Sequence, residues 1–236
     1  MEGTLERLES MKELKDYLYY EEKDPDLKIY LGDCLSILPL LPNVDLVVTD
    51  PPYGIKADSN PIRGKFVHEN IDFDQKRPER AVFDILLSIS DSVAIWGGNY
   101  FADFLPPRMG WLFWDKCNGE FSLSDGELCW TSKQNALRMF RKSRASVLSE
   151  DKNWHPTQKP VTLIKWTIKY LNKQGVVFDP FLGSGTTLVA CKELNRNGIG
   201  IEISEKYCAI AKKRLQNTTK SLFTESAKQP EQKDLL

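Results

Sequence analysis

Little in this sequence points towards a membrane, an oxidising compartment or a metal. No apolar run approaches the roughly 20 residues that a membrane-spanning helix needs. The opening segment, MEGTLERLESMKELKDYLYYEEKD, is charged throughout, so no signal peptide is expected. Five cysteines, at positions 34, 117, 129, 191 and 208, form no close pair and no metal-ligand spacing. They read as reduced thiols, mostly packing, in a cytoplasmic protein. Nor is there an excess of charge of either sign: 32 Lys and Arg face 33 Asp and Glu, a net charge of −1. With no global basic field, any nucleic-acid partner must be held by a local patch. What remains is ordinary for a soluble globular chain, 41% apolar and 28% charged, and 236 residues suffice for one large domain with a real core.

Seven short apolar runs punctuate the chain: LKIYLGD (27–33), VDLVVTD (44–50), SVAIWGG (92–98), GWLFWDK (110–116), ELCWTS (127–132), GVVFDP (175–180) and GIGIEI (198–203). Helical patterns lie between several of them. In 78–90, Val82, Phe83, Leu86 and Leu87 share one side. Segment 160–175 opens at a proline and closes at a glycine, segment 185–198 also closes at a glycine, and 204–216 starts at a serine cap. Near-continuous apolar strands alternating with helices predict an α/β fold, a doubly wound, mostly parallel seven-stranded sheet covered on both faces, with an antiparallel edge within 92–132. Leu5, Leu8, Met11, Leu14 and Leu18 recur at helical spacing, so residues 1–26 are expected to form a helical arm packed on the body or on a second subunit. Residues 27–216 are the expected main domain, and 217–236 a disordered tail.

The stretch DLVVTDPPYGI (45–55) drives a buried-looking run into a carboxylate and two prolines. The prolines cannot donate to a ladder and force the chain out of the strand. A carboxylate, bare carbonyl oxygens and an aromatic face are left together, a set suited to a planar nitrogen group. Asp33, Asp179 and Glu202 stand, like Asp50, at C-terminal ends of expected strands, where open α/β sheets bind ligands. A single acid there is usually a cap; four argue for a site. DPFLGSGTT (179–187) follows a strand and opens a helix, with Gly183 and Gly185 allowing a tight turn. It is not a P-loop, since Thr186 stands where the phosphate-binding lysine belongs, and it lacks the third glycine of a dinucleotide fingerprint. Glu202 lies 17 residues beyond Gly185, at an offset where an acid commonly takes ribose hydroxyls. A nucleoside cofactor without a pyrophosphate, such as S-adenosylmethionine, fits this description.

Taken together, DPPY (50–53), HPTQKP (155–160), DPFLGSGTT (179–187) and GIGIEISEKY (198–207) resemble the amino-group DNA methyltransferases, in the permuted motif order of their β class. YLGDCLSILPLL upstream and SVAIWGGNYF downstream are similar to members of that family, and the resemblance covers residues 27–216. It implies a Rossmann-like methyltransferase fold and transfer of a methyl group from S-adenosylmethionine to the 6-amino group of a flipped-out adenine in DNA, in a restriction–modification, phage or orphan setting. Asp50 and the Pro51 carbonyl would accept the amino hydrogens, with Pro52 shaping the turn and Tyr53 stacking on the base. Asp33 would contact the cofactor adenine and Glu202 its ribose. Asp179, Phe181 and the turn Gly183, Ser184 and Gly185 would line the methionine end, and Lys159 would meet the cofactor carboxylate. His155 shapes a turn. Neither a cysteine nucleophile nor a metal is expected.

For DNA, the basic stretch RMFRKSR offers Arg138, Arg141, Lys142 and Arg144 for phosphate contact, within a short recognition segment 133–153; a solvated loop is the plainer alternative. The insert 56–80, with six cations and five acids, would close over the base. Only about twenty residues separate ELCWTS from HPTQKP, where larger relatives carry a recognition region, so sequence specificity is left to a homodimer partner, a short loop or a separate protein. Methylation of the cytosine 4-amino group, an RNA substrate and a catalytically inactive nucleic-acid-binding subunit are the competing readings.

Overall fold

The computed structural model of the chain describes residues 12–55, 76–119, 124–143, 146–147 and 158–220. Among them, nine strands build one sheet: β1 Leu18–Lys23, β2 Asp26–Leu31, β3 Leu46–Thr49, β4 Val93–Trp96, β5 Trp111–Asp115, β6 Gly126–Thr131, β7 Arg138–Arg141, β8 Val177–Asp179 and β9 Gly198–Glu202. Their spatial order is β1-β2-β9-β8-β3-β4-β6-β5-β7. The run β2-β9-β8-β3-β4 is parallel throughout. β6 is antiparallel to both of its neighbours, β4 and β5. The helices are α1 Cys34–Ile37, α2 Arg80–Ile89, α3 Val161–Leu171, α4 Thr186–Glu193 and α5 Glu205–Asn217. None is long and apolar enough to cross a membrane.

All seven apolar runs are strands, and the antiparallel strand β6 lies within 92–132, but between β4 and β5 rather than at an edge of the sheet. The sheet is wider than expected by one strand at each edge. Residues 18–26, expected in a helical arm, instead form β1 and its Asp24–Pro25 turn onto β2. The leucine spacing that suggested a helix is overridden by Tyr19 and Tyr20, β-favouring aromatics that pack against the core, and by the free edge of β2. A single turn of 3-10 helix, Leu14–Tyr17, precedes the strand, and residues 1–11 lie outside the described residues, as do 221–236 of the tail. At the other edge, the first four residues of the basic stretch are not a loop: Arg138–Arg141 is β7, parallel to β5.

Alternation along the parallel strands sorts the core into two layers. Leu46, Val48, Ala94 and Trp96 face α3, α4 and α5. Val47, Val93 and Ile95 face α1 and α2, where Val82, Phe83 and Leu86 pack. Strands covered on both sides need unbroken apolar sequence, which is why β3 and β4 are buried at every residue. Two expected glycine stops are displaced: α3 ends at Asn172 (φ 49°) before Gly175, and after α4 the chain turns at Asn195 (φ 53°) before Gly198. Asparagine is the other residue that tolerates the left-handed turn.

β3 and β8 lie side by side, but their onward connections diverge, through α2 to β4 on one side and α4 to β9 on the other. This is the switch point, and a crevice opens outside the strand ends there.

Candidate active site

The strand ends carry a cleft of about 970 Å³. Its lining includes Asp33, Asp50, Pro51, Pro52, Tyr53, Lys159, Asp179, Phe181, Gly183, Ser184 and Glu202, so segments far apart in sequence meet at one rim. Gly185 stands behind this lining, as the residue that caps α4. Arg138, Arg141 and Lys142 lie away from it on β7 and just beyond. Arg144, His155 and residues 56–75 of the insert fall outside the described residues.

One side of the cleft is the glycine turn. Gly183 has φ +53°, and a Cβ built there would meet nothing within 4 Å, so its backbone faces open space. Gly185, at φ +87°, has the opposite surroundings: a Cβ would come within 2.7 Å of Ala211 Cβ on α5. Arg214 of α5 fixes the turn by donating to Ser184 O at 2.8 Å and to Thr186 Oγ1 at 3.1 Å. Ser184 donates in turn to Gln158 Oε1 at 2.8 Å. The Glu202 carboxylate accepts from the amides of Gly183 and Ser204, each at 2.8 Å. Burial raises its pKa while those amides pull it back. Each oxygen keeps further acceptor capacity towards the cleft. Asp33 caps α1, accepting from the Leu35 amide at 2.9 Å.

Asp179 is the structural joint. It is buried, and its Oδ1 accepts from Thr49 Oγ1 at 2.7 Å and from the Phe181 amide at 3.1 Å, while Oδ2 accepts from Thr187 Oγ1 at 2.6 Å. Burial drives its pKa up to about 6 against those three hydrogen bonds. Sequence suggested a cofactor contact for this acid. Its two oxygens are committed to tying β3, the glycine turn and α4 together.

The other side of the cleft is a charge cluster of two buried lysines, Lys116 and Lys159, and two half-buried acids, Asp50 and Glu127. Asp50 Oδ1 accepts from Tyr53 OH at 2.5 Å, and Oδ2 from Lys159 Nζ at 2.6 Å. Lys159 also donates to Tyr53 OH at 3.1 Å and lies 2.8 Å from Glu127 Oε2 on β6. Glu127 Oε1 takes a short contact from Lys116 at the end of β5. Lys159 thus faces the DPPY turn as well as the cleft. Burial would lower its pKa, but Asp50 and Glu127 outweigh burial and hold it above its ordinary value. Asp50 is raised by burial despite Lys159. Tyr53 stacks on Tyr100, ring centroids 4.6 Å apart and planes 15° from parallel.

Lys116, Glu127, Gln158, Tyr100 and Arg214 were not singled out from sequence. A faint signal existed for Glu127, a lone acid opening the apolar run ELCWTS.

Comparison with known proteins now adds to this geometry. A family model described as DNA methylase, covering N6 and N4 methyltransferases, matches residues 94–213, just over half of the chain. The chain belongs to the DNA methylase family. The matched stretch contains Lys159, the glycine turn and Glu202 but begins after the DPPY turn. Type II methyltransferase M.HindIII of Haemophilus influenzae is 45% identical over 87 residues, 36% of this chain and 28% of that protein. The chain therefore matches well under half the length of this relative. Type II methyltransferase M2.MboI of Moraxella bovis is 24% identical over 88% of this chain and 94% of its own. Among solved structures, the M1.HpyAVI–SAM complex superposes with a TM-score of 0.55 at 27% identity, over 80% of this chain and 98% of that one. The sheet is accordingly a methyltransferase-type α/β sheet.

Proposed function

We propose that this protein transfers a methyl group from S-adenosylmethionine to an exocyclic amino group of a base in DNA, and that the base is adenine. The observation that carries the reading is the convergence of Asp50-Pro51-Pro52-Tyr53 with Gly183 and Ser184 of the glycine turn on one cleft. The relatives' printed activities and the S-adenosylmethionine held by M1.HpyAVI support it.

The cleft suits the cofactor. Backbone facing open space at Gly183 lets a ligand approach closely, and Glu202 and Asp33 offer acceptors for ribose hydroxyls and the adenine amine. Phe181 and the turn would flank the methionine end. Lys159 would meet a cofactor carboxylate only by loosening its contacts with Asp50, Tyr53 or Glu127, and Gln158 and Ser184 are further polar groups lining the cleft. When bound, S-adenosylmethionine supplies a methyl group that leaves its bonding electron pair on sulfur.

The chain's own residues would do the rest. A base amine is a poor nucleophile inside a duplex, and flipping it out costs roughly a few kcal/mol. Asp50 accepts one amino hydrogen and the Pro51 carbonyl the other, which aims the nitrogen lone pair into the cleft. Asp50 then takes the proton that the nitrogen must lose. Its raised pKa, set first by burial, suits that acceptance. Tyr53, braced from behind by Tyr100, offers a ring for the base. Such stacking is worth about 1–3 kcal/mol.

The same geometry would serve the 4-amino group of cytosine, and the family model spans both chemistries. The DPPY form of the tetrapeptide favours adenine by resemblance. Labelled methyl transfer to DNA, with modification-sensitive sequencing of DNA from cells making the wild type or Asp50→Ala, tests the reading. Methylated adenine at a defined sequence is expected with the wild type and none with the variant. Transfer that persists in Asp50→Ala would refute the assigned role, and methylcytosine would select the alternative base.

A further inference from the structure

Glu127 has no part in the reaction described, yet it lines the same cleft and sits half-buried between two buried lysines. It stands near the start of β6, the antiparallel strand inserted between β4 and β5. Lys116 approaches one carboxylate oxygen and Lys159 the other, the latter at 2.8 Å. Lys159 continues to Asp50 at 2.6 Å and Tyr53 at 3.1 Å. Charge therefore alternates along a line, Lys116, Glu127, Lys159, Asp50, and sums to zero. Lys159 donates hydrogen bonds to Asp50 and Tyr53, while Glu127 Oε2, which accepts no hydrogen bond, meets it as an ion pair at 2.8 Å.

We propose that Glu127 is a positioning residue for the transfer: by sharing Lys159 with Asp50, it keeps the lysine from becoming a full counter-ion to the catalytic carboxylate. This rests on the methyl-transfer reading of the site. Asp50 must accept hydrogen bonds from an amine and then its proton, and a carboxylate fully paired with an ammonium does both poorly. Without Glu127, all of the Lys159 charge falls on Asp50 and Tyr53. The line would also carry a net positive charge beside a sulfonium donor. Glu127 itself is no proton carrier. Burial would raise its pKa, but Lys159 and Lys116 override burial and hold it at about 2, charged throughout the neutral range. The groups that bear on Asp50 are Tyr53 on its own turn, Lys159 before α3, Glu127 and Cys129 on β6, and Asp179 at the end of β8. Among these, Glu127 pushes the Asp50 pKa up and Lys159 pulls it down.

The test uses the full chain as Glu127→Gln and Glu127→Asp, with two readouts: steady-state methyl transfer across pH, and ¹³C NMR titration of the Asp50 carboxyl. Glu127→Gln should lower kcat at least tenfold and leave the KM for S-adenosylmethionine within threefold. It should also move both the acid limb of kcat and the Asp50 titration to lower pH. Glu127→Asp should recover most of kcat and of the titration. If Glu127→Gln does not fold, the pair Lys116→Met with Glu127→Gln removes one charge of each sign, and the same shifts are expected. A folded variant with kcat within twofold of wild type, or with an unmoved Asp50 titration, overturns the proposal. If the wild type itself methylates no DNA, the functional reading fails, and the Asp50 titration still decides whether Glu127 tunes that carboxylate.

Discussion

Thr49, the last residue of β3, donates its hydroxyl to Asp179, the last residue of β8, at 2.7 Å across 130 residues of sequence. That bond joins the strand leading into DPPY to the strand leading into the glycine turn. It also keeps a buried carboxylate, which would otherwise be intolerable, partly charged. The Asp179 pKa stands at about 6, above the ordinary value, because burial outweighs the hydrogen bonds from Thr187, Thr49 and the Phe181 amide. A carboxyl raised on folding favours the folded state most at low pH, below its unfolded value near 4, and that contribution is lost as pH rises through 6. Asp179→Asn removes the charge while keeping an acceptor for one threonine and an NH2 donor that the other hydroxyl can accept from. Its stability relative to wild type should therefore rise between pH 4 and pH 7, by on the order of 2 kcal/mol. Urea midpoints at several pH values measure this, and a difference that stays flat with pH would show that Asp179 does not titrate there.

Replacing Lys159 by Met should do the opposite. Lys159 is the cation between two half-buried acids: its side chain is 7% exposed, against 29% for Asp50 and 25% for Glu127. Removing one partner of a fully buried pair typically costs about 3–5 kcal/mol, and with water reaching both acids the lower end is expected here. Glu127 now sits well below its ordinary pKa, so its stabilising share is present above the unfolded value and lost as pH falls towards 2. The deficit of Lys159→Met should accordingly be largest at pH 6–8 and shrink below pH 4, as the stranded carboxyls protonate. Thermal melts across that range give the comparison, and an equal deficit at pH 4 and pH 8 would contradict it.

The parts of this site that sequence made legible are those built from backbone. Pro51 and Pro52 can only end a strand, and Gly183 and Gly185 can only turn, so DPPY and the glycine loop announce strand ends by chemistry alone. Acids placed after apolar runs mark the same edge, since the strands are buried at both faces. Sequence was silent on pairings that depend on register. Nothing in ELCWTS says that an antiparallel strand will bring Glu127 level with Lys159, which comes from a segment thirty residues later. Over Leu18–Lys23 the helical expectation gives way for a related reason: leucine spacing in 5–18 is local, whereas the open edge of β2, which draws Leu18–Lys23 into the sheet, is not.

Arg138 offers a test of the DNA-contact proposal. Arg141 is tied to Asp115 at 2.8 Å and Lys142 to Thr162 at 2.9 Å, while Arg138 is exposed and bonds the carbonyl of its neighbour Leu137 at 3.3 Å. If β7 lies against phosphates, Arg138→Ala should weaken binding similarly on all DNA sequences and reduce the slope of log K against log salt by about 1. Arg141→Ala should have a smaller effect, because part of its charge already faces Asp115. Fluorescence anisotropy with duplexes at several salt concentrations reads both, and an unchanged slope in Arg138→Ala would remove β7 from the interface.

Gly183 and Gly185 sit two residues apart in one turn, both with positive φ, but alanine should act on them differently. At Gly185 (φ +87°) the new methyl would approach Ala211 Cβ at 2.7 Å and its Cα at 3.0 Å, a contact between α4 and α5 with backbone on one side. Left-handed backbone costs an alanine about 1–2 kcal/mol. Overpacking in a filled interior adds about 1–3 kcal/mol. Gly185→Ala should therefore lose stability by roughly 2–5 kcal/mol in urea. At Gly183 (φ +53°) the methyl meets no atom within 4 Å, so only the backbone term applies and the loss should stay near 1 kcal/mol. That methyl projects into the space where a ligand would approach the turn, however, so the Kd for S-adenosylmethionine should rise tenfold or more. Calorimetric titration of the folded Gly183→Ala protein measures it. Wild-type affinity there would mean that the cofactor does not lie against this turn, and the assignment of the cleft would have to change with it.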